Sequence, residues 1–323
     1  MQDNRNTAID LLKCLAMILI TNSHFGLLYG RFDYLATGGT IGDALFFFCS
    51  GFALFLKPMD GLKGFADWYK RRINRIYPPV IAAALVGTLF FARHYGLLDI
   101  VLARDYWFVG CIMLYYVAIF FIGSYIRKAV PYIGLAVLVG AAVWFLLIDY
   151  AGFQLFGGHY IRWLVFFAFM LFGAWLGMQA GKLKCRPVLD AVLAVVSVAL
   201  FYAILLVSAR YGALARVQYL SVVALLAAVY YIYKVCASPL AVRLFGGKGW
   251  NRVIRAFGGL CLEVYLVQYF LITDRLNNLF PLNVVIVALG VLLLAYLTRC
   301  LARFLSQTFS REPYNWKEII RLY

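Results

Sequence analysis

The first hydrophobic segment of the chain carries three ionisable side chains on one face. In RNTAIDLLKCLAMILITNSH, the 100° turn per residue of an α-helix brings Asp10, Lys13 and His24 within about 60° of one another. His24 would lie roughly 16 Å further along the helix axis than Lys13. Because an ionisable group in hydrocarbon costs several kcal/mol, it is usually kept there for function. A histidine, with an ordinary pKa of about 6.5, can exchange protons during catalysis near neutral pH.

A second candidate site follows the second hydrophobic segment, in GFADWYKRRINRIYPP. On a helix, Arg72 falls in the middle of the side that carries Trp68 and Ile76. Arg75 lies at the edge of this side, while Arg71 points away. This spacing indicates an inward-facing guanidinium pair, Arg72 and Arg75, which can hold a phosphate or carboxylate through paired hydrogen bonds. The alternative, of equal weight for Arg75, is a basic anchor that extends to the lipid headgroups.

The composition is that of a polytopic membrane protein. Of 323 residues, 65% are hydrophobic and 14% charged, and the mean hydropathy of +0.85 lies well outside the range of soluble domains. Since a helix needs about 20 apolar residues to cross the hydrocarbon core, the sequence predicts an all-α integral membrane bundle of ten transmembrane helices. A short basic amphipathic helix would follow span two, and residues 1–323 would form a single transmembrane domain. The predicted spans are residues 8–29, 39–57, 79–98, 106–126, 132–149, 161–179, 188–208, 214–234, 253–273 and 282–304.

The distribution of basic residues predicts the topology. Most of the 30 lysines and arginines fall in segments that alternating spans place on the side of the N-terminus, so both termini are predicted to be cytoplasmic. The net charge of +16 reflects this topology and attraction to anionic membrane lipid, and it does not indicate a nucleic-acid partner. A basic surface on the cytoplasmic side of the membrane also suits a phosphorylated cytosolic ligand. The seven cysteines include no CxxC pair, and neither disulfides nor a metal site is expected.

Several motifs resemble, in order along most of the chain, those of the acyltransferase type 3 family of bacterial integral-membrane acyltransferases. Lys13 and His24 have the family's spacing of a basic residue, ten residues and a histidine. Arg72 and Arg75 match its Arg-x-x-Arg. Further similar positions are Ser50, Gly51 and Phe52 in FFFCSGF, Pro78 and Pro79 opening the next helix, Trp107, Phe108 and Tyr115 in span four, and residues 261–268 (CLEVYLVQ) in span nine.

This resemblance implies a membrane O-acyltransferase of the bacterial inner (plasma) membrane, in a stand-alone form without an appended hydrolase-like domain. The donor would be a cytoplasmic acyl-CoA, most often acetyl-CoA, and the acceptor a hydroxyl of a cell-surface polysaccharide or lipid-linked glycan. Lys13, Arg72 and Arg75 would bind the donor, and His24 would act in the transfer. His24 can deprotonate the attacking hydroxyl or carry the acyl group itself, and the sequence leaves both roles open.

The chain departs from the family pattern at three of these positions. Lys13 stands where the family has an arginine. The paired hydrogen bonds that a guanidinium can make to one anion are therefore replaced by the point charge of an ammonium group. Asp10 can pair with Lys13 as a local ion pair at the start of the helix. Gln268 replaces the family's later histidine, which argues against a mechanism with two histidines, but its amide can still hydrogen-bond a substrate. Cys261 replaces a serine.

The ninth span is predicted to present two different faces. Cys261, Tyr265 and Gln268 share one of them, and Glu263 is rotated about 140° from Gln268. A carboxyl group at this depth must have a partner or be protonated. We therefore expect Glu263 to be structural or to organise a basic residue.

Asp43 is predicted to meet His24. It lies four residues inside the outer start of span two, roughly 6 Å deep, and His24 lies at a similar depth in span one. We hypothesise that Asp43 orients His24 and stabilises its cationic form, as the acid does in a catalytic triad. The alternative, of equal weight, is a hydrated carboxylate at the outer mouth of the bundle.

A transporter or flippase of a lipid-linked saccharide or small metabolite is the alternative from another functional class. Such proteins have a similar number of spans, and many break helices near the membrane midplane to form their binding site. All eight prolines are predicted in loops or near span ends, and neither half of the chain repeats the other, which argues against transport. A glycan polymerase, a structural membrane partner and association into a homo-oligomer stay open.

Overall fold

The structure, a computed structural model, describes residues 6–59, 64–148, 154–157, 160–309 and 313–322. Within these ranges the chain is helical and contains no β-strand. The α-helices are α1 (Thr7–His24), α2 (Gly26–Tyr29), α3 (Gly39–Phe55), α4 (Phe65–Phe90), α5 (Leu97–Val101), α6 (Trp107–Tyr125), α7 (Val130–Leu147), α8 (Ile161–Met178), α9 (Pro187–Arg210), α10 (Leu220–Cys236), α11 (Pro239–Phe245), α12 (Lys248–Val267), α13 (Leu282–Thr308) and α14 (Trp316–Ile319). Short 3-10 helices cover Gly30–Leu35, Arg127–Ala129, Gly212–Tyr219, Gln268–Phe270 and Asp274–Leu279.

Eight helices in the described ranges are long and apolar enough to cross a membrane. A ninth span is added if Thr7–His24 and the bent continuation Gly26–Leu35 count as one. Helix α3 is apolar but has only 17 residues. The all-α class is therefore confirmed, while the predicted number of ten spans is reached only if α3 also crosses. The sidedness of the termini stays a prediction.

Helix α4 corrects the prediction at the second candidate site. The predicted amphipathic helix and the third span form one continuous helix of 26 residues, with Pro78 and Pro79 in its interior. The sequence predicts a helix start there because an internal proline removes a backbone hydrogen bond and clashes with the preceding turn. In membrane helices, neighbouring groups and local adjustments compensate for such a loss. Arg72 consequently lies on a long continuous helix instead of a separate surface segment.

The contacts of the chain divide it into two compact units. The first comprises Met1–Lys13, Thr40–Leu62 and Ala118–Asn251, and the second comprises Cys14–Gly39, Lys63–Val117 and Arg252–Tyr323. In the first unit, α9 packs on α10 and α7 packs on α8. In the second unit, α13 packs on α4 and on α14. The single domain that the sequence predicts stays a prediction.

Within the first unit, α3 and α8 approach until their backbones touch. A methyl group on Gly51 would collide with the backbone of α8, and one on Gly173 would collide with the carbonyl of Phe48. On Gly177 it would lie 2.5 Å from the carbonyl oxygen of Phe52. Small residues permit this approach in membranes, where close van der Waals packing joins the helices. Gly173 and Gly177, the glycines of GAWLG, therefore act in helix packing.

Within the second unit, a buried ion pair joins α12 to α13. Nε and Nη2 of Arg299 donate to the two carboxylate oxygens of Glu263, at 3.0 Å each, and Nη2 also donates to the carbonyl of Gly259. Glu263 is 4% exposed and Arg299 is 9% exposed. Glu263 therefore has the kind of basic partner that its position in the ninth span requires.

Replacing Glu263 with alanine is expected to destabilise the protein by about 3–5 kcal/mol, because Arg299 would stay buried without its counter-charge. The matched control is Arg104→Ala, which breaks an exposed pair with Asp99 (3.3 Å) and should cost no more than about 1 kcal/mol. Thermal unfolding of the purified variants in detergent measures both effects. Equal midpoints for the two variants would contradict a stabilising role for the buried pair.

Candidate active site

His24 is the last residue of α1, where the helical path breaks. After it the chain bends by 63° into a short helical segment. The bend is held by Asn22, whose side-chain amide donates to the carbonyls of Leu35 and Thr37 and accepts from the hydroxyl of Tyr29. The sequence predicts an unbroken span here. The structure instead places the half-buried imidazole at a helix end, where the last backbone carbonyls have no intrahelical partner.

Tyr269 contacts His24 directly. Its hydroxyl oxygen lies 2.7 Å from Nδ1 and 3.0 Å from Nε2, and the ring centroids are 4.7 Å apart. Because the lone-pair directions of the two ring nitrogens diverge, an oxygen at nearly equal distances from both is aligned with neither and lies against the ring. The sequence does not single out Tyr269. Its position directly after the motif CLEVYLVQ is the one feature that could have indicated a functional role.

Arg72 rests on aromatic rings. Its guanidinium carbon lies 4.8 Å from the ring centre of Trp68 and 5.9 Å from that of Tyr116, and the two rings are perpendicular to each other. Both rings are buried, at 8% exposure each. Stacking on fixed rings stabilises the cation and limits its movement. Arg72 thus lies on the aromatic side of its helix, as its spacing from Trp68 predicts.

No carboxylate in the described part of the chain pairs with Arg72. Its Nε is buried without a hydrogen-bond partner, and the neighbouring charges of Arg71 and Arg75 are positive. Arg75, one turn further along α4, is exposed, so the inward orientation predicted for the pair holds for Arg72 alone. A partly buried cation without a counter-ion is unfavourable by itself, and a guanidinium binds phosphate with paired hydrogen bonds. The arrangement therefore suits an anionic ligand.

Helix α6 measures the separation between the surroundings of Arg72 and those of His24. Tyr116, beside Arg72, lies ten residues after Tyr106. The hydroxyl of Tyr106 donates to the carbonyl of Leu266 at 3.0 Å, near the end of α12 and three residues before Tyr269. Ten residues of helix rise about 15 Å. Helix α6 thus connects the surroundings of Arg72 with the turn that leads to Tyr269.

Lys13 lies in the first unit, near the FFFCSGF motif. The charges of Asp10 and Lys13 both act on the thiol of Cys49, which precedes Ser50 on α3. Asp10, Lys13 and Ser50 are half-buried. The structure therefore places three of the predicted site residues around one stretch of the first unit, and their binding roles stay predictions.

Asp43 belongs to the first unit and His24 to the second. Within the first unit, Asp43 lies near the start of α3 and interacts electrostatically with Arg162 on α8. Within the second unit, His24 contacts Tyr269. The orienting role hypothesised for Asp43 stays a prediction.

Tyr265 and Trp107 lie among aromatic side chains of the second unit. The ring of Tyr265 is 6.0 Å from that of Tyr106 and 5.6 Å from that of Phe108. Trp107, the first residue of α6, packs edge-on against Phe108 at 6.2 Å. These contacts are apolar, so both residues act in packing here, and a substrate contact for either stays a prediction.

Gln268 follows the end of α12 and opens a 3-10 turn that continues the same helical span to Phe270. It is 0% exposed, and neither Oε1 nor Nε2 has a hydrogen-bond partner in the described ranges. Asn283 is equally buried, but its Nδ2 donates to the carbonyl of Leu28 at 2.8 Å and to Asn277 at 3.1 Å. The side-chain amide of Gln268 is thus buried without the hydrogen bonds that would offset its loss of hydration.

The variant Gln268→Met is expected to unfold at the same temperature as the wild type or at a higher one, because an unpaired buried amide costs about 1–3 kcal/mol. The matched control Asn283→Leu should unfold at a lower temperature, since it loses two hydrogen bonds. Thermal unfolding in detergent compares them. A loss of stability in Gln268→Met as large as that in Asn283→Leu would contradict the unpaired state of this amide.

A cavity of about 190 Å³ opens between α1, α12 and α13 of the second unit. Its walls are mostly apolar, and its polar groups are Thr21, Asn22 and Tyr29, close in sequence to His24. A dry cavity of about 150 Å³ is large enough for benzene. This cavity therefore suits a small hydrocarbon group and is too small and too apolar for a nucleotide.

Comparison with known proteins identifies a family. A family model described as an acyltransferase domain, of the acyltransferase 3 type, matches residues 6–300. The matched range covers nearly the whole chain and contains His24, Arg72 and Tyr269. Neither a curated protein nor a solved structure matches the chain.

Proposed function

We infer, since this chain belongs to the acyltransferase 3 family, that it transfers an acyl group from acyl-CoA to a hydroxyl of a glycan. By family it is a multi-pass membrane acyltransferase. The donor we propose is acetyl-CoA, and the acceptor is a cell-surface polysaccharide or a lipid-linked glycan. The reaction would take place in the bacterial inner membrane, with both termini in the cytoplasm, where acyl-CoA is made.

The observation that carries this proposal is the unpaired cation of Arg72. A guanidinium stacked on Trp68 and Tyr116, with positive neighbours and no carboxylate partner in the described residues, is ready to bind phosphate. Arg75 adds a second guanidinium one turn away. Coenzyme A is an elongated molecule with phosphates at one end and a thioester at the other. The rise of about 15 Å along α6, from Tyr106, which contacts Leu266 near the end of α12, to Tyr116 beside Arg72, is compatible with such a donor.

His24 supplies the reacting nitrogen in either of two routes. In the first, the nitrogen takes the proton of the acceptor hydroxyl, the oxygen attacks the acyl carbonyl, and the carbon–sulfur bond breaks. The thiolate of coenzyme A then takes the proton from His24. In the second, the nitrogen lone pair attacks the carbonyl, the carbon–sulfur bond breaks, and the thiolate takes the N–H proton of the acyl-imidazolium and leaves as the thiol. The acceptor oxygen then attacks the acyl carbon, the nitrogen–carbon bond breaks, and the proton of the hydroxyl returns to the imidazole.

Transport of a lipid-linked saccharide is the second candidate, because two observations weaken the sequence argument against it. The helical path breaks after His24, and Pro78 and Pro79 lie inside α4 instead of at a span end. Interrupted helices are common at the binding sites of transporters. The decisive experiment must therefore separate acyl transfer from glycan export.

Envelope glycans from cells with and without the gene provide that separation. Mass analysis is expected to show base-labile acyl esters with the wild-type gene and none with the gene deleted or with a His24→Ala copy. Glycan export should continue in all three strains. Export that fails in the deletion strain but is normal with both His24→Ala and Arg72→Ala, with no change in esters, would favour transport and contradict acyl transfer.

A further inference from the structure

The cavity between α1, α12 and α13 is elongated. Along α13 its wall runs from Val284 to Leu292, a rise of about 12 Å. Its volume of about 190 Å³ exceeds the roughly 150 Å³ of a cavity that binds benzene, and this corresponds to about eight carbon atoms. The shape and the size therefore suit a segment of an extended hydrocarbon chain.

The cavity opens beside apolar side chains that the second unit leaves exposed. Ile18, in its wall, is 57% exposed, and Leu289, directly after the wall residue Ala288, is 62% exposed. In a membrane protein such a surface faces the lipid hydrocarbon, because apolar side chains and lipid tails are equally apolar. A hydrocarbon chain can therefore enter the cavity from the membrane without passing through water.

One end of the cavity is polar and lies beside the end of α1. Asn22 and Tyr29 are in the wall there, and their side chains are hydrogen-bonded to each other. The start of α13 meets the same place, because Asn283 donates to the carbonyl of Leu28 at 2.8 Å. His24 follows Asn22 by two residues. The polar end of a lipid in this cavity would thus come near the part of α1 that carries the imidazole.

Two exposed arginines lie beyond this polar end. Arg31 follows the wall residue Tyr29 by two residues. Arg275 lies two residues before Asn277, whose amide donates to the carbonyl of Leu27 at 2.9 Å. Neither arginine forms an ion pair with a carboxylate in the described ranges. An anionic group that follows the hydrocarbon chain of a lipid would complement these charges.

The proposed donor does not account for this cavity. An acetyl group has only two carbon atoms, and the phosphates of coenzyme A are assigned to Arg72. A lipid-linked glycan carries a hydrocarbon chain, a phosphate and sugar hydroxyls in this order. The second unit offers an apolar cavity, two arginines and His24 for these three parts.

We propose that the cavity binds the hydrocarbon tail of a lipid-linked glycan, with Arg31 and Arg275 at the phosphate and the first sugars near His24. The inference rests on the proposed acyl transfer, and it selects the lipid-linked glycan over a free polysaccharide as the acceptor. Because lipid tails in the bilayer are as apolar as the cavity, the selectivity comes from the phosphate and from the fit of the chain.

A photoreactive lipid tests binding without turnover. Geranylgeranyl phosphate with a diazirine near the end of its tail is added to the full-length protein in detergent and illuminated, and the labelled peptides are mapped. Label is expected in the wall segments of α1, α12 and α13. Unlabelled geranylgeranyl phosphate should compete at least about tenfold better than geranylgeraniol, because hydrogen bonds to the charged phosphate add affinity.

Variants of the wall and of the arginines make this test specific to the cavity. Ala288→Phe fills the cavity from α13 and should lower labelling about tenfold, since extra bulk in a packed space is costly. The matched control Leu289→Phe, on the exposed side of the same helix, should label like the wild type. Arg31→Gln and Arg275→Gln should weaken competition by the phosphate, and the exposed Arg93→Gln should not.

Initial rates connect the cavity with the reaction. With labelled acetyl-CoA, Ala288→Phe should raise the amount of membrane acceptor that gives half-maximal transfer and leave the KM for acetyl-CoA unchanged. Leu289→Phe should change neither value. Unfolding midpoints of both variants should equal that of the wild type.

Equal labelling of Ala288→Phe and Leu289→Phe would overturn the inference. Displacement of the probe by phosphatidylglycerol as readily as by geranylgeranyl phosphate would also overturn it, because the cavity would then be a site for ordinary membrane lipid. Displacement by palmitoyl-CoA alone would assign the cavity to the acyl chain of a donor instead. A protein that binds the probe in the cavity but transfers no acetyl group would confirm the lipid site and refute the proposed function.

Discussion

Replacement of His24 with alanine is expected to lower the rate of acyl transfer about 100- to 10,000-fold, the range in which a positioned acid–base group contributes. Alanine removes the nitrogen that takes the proton of the acceptor or attacks the thioester. The half-buried ring is replaced at a helix end, where α1 needs no side chain of that shape to continue. Transfer of label from acetyl-CoA to the glycan fraction of membranes measures the loss.

The matched control for this prediction is His94→Ala. His94 is exposed in the segment between α4 and α5, and its loss should leave transfer unchanged. Unfolding midpoints of both variants should equal that of the wild type. Transfer within a few-fold of the wild type in His24→Ala would exclude both chemical routes proposed for this residue.

Replacement of Arg72 with alanine is expected to raise the KM for acetyl-CoA about 10- to 150-fold. Hydrogen bonds to a charged group contribute about 1.5–3 kcal/mol, and each 1.4 kcal/mol changes affinity about tenfold. The value of kcat at saturating donor should change much less, because Arg72 binds the donor far from the thioester. Initial rates over a range of acetyl-CoA concentrations separate the two constants.

Two further variants make this test specific to the site. Arg72→Lys keeps the charge but loses the planar fork and the stacking on Trp68, so it should restore only part of the affinity. Arg71→Ala removes an equal charge from the exposed side of the same helix and should leave KM unchanged. An equal rise in KM for Arg71→Ala and Arg72→Ala would show that the basic surface attracts the donor in a general way.

Helical periodicity was sufficient to predict the surroundings of Arg72. The spacing of four residues between Trp68 and Arg72 puts both on one side of any helix, whatever its length, and the structure stacks them at 4.8 Å. In the same way, Asp10, Lys13 and His24 share the single helix α1. Such predictions depend only on the turn per residue, which tertiary contacts change little.

The partner of His24 could not be predicted in this way. Tyr269 lies 245 residues from His24 in the chain, and their contact depends on where α1 and α12 both end. The pairing of Glu263 with Arg299 has the same origin, since only the packing of α12 on α13 brings the two charges together. The sequence alone indicates that Glu263 needs a partner, but it does not indicate which residue that partner is.

Proline rules gave the wrong boundary at Pro78 and Pro79. They describe the local cost of a missing backbone donor, which favours a helix start. In α4 the helix continues through both residues, because its flanking turns pack in the second unit and the apolar surroundings favour continued backbone pairing. The helix break falls instead after His24, in a segment without proline.

A donor-binding cation at Arg72 and a reacting imidazole at His24 should respond differently when the donor is raised to saturation. Transfer of labelled acetyl to membrane glycan is measured for wild type, Arg72→Ala and His24→Ala as acetyl-CoA is raised well above the wild-type KM. Rates of Arg72→Ala are predicted to approach the wild-type maximum, while His24→Ala stays low at every concentration. A rate of His24→Ala that recovers at high acetyl-CoA concentration would contradict these separate roles. So would a low maximal rate of Arg72→Ala with an unchanged KM.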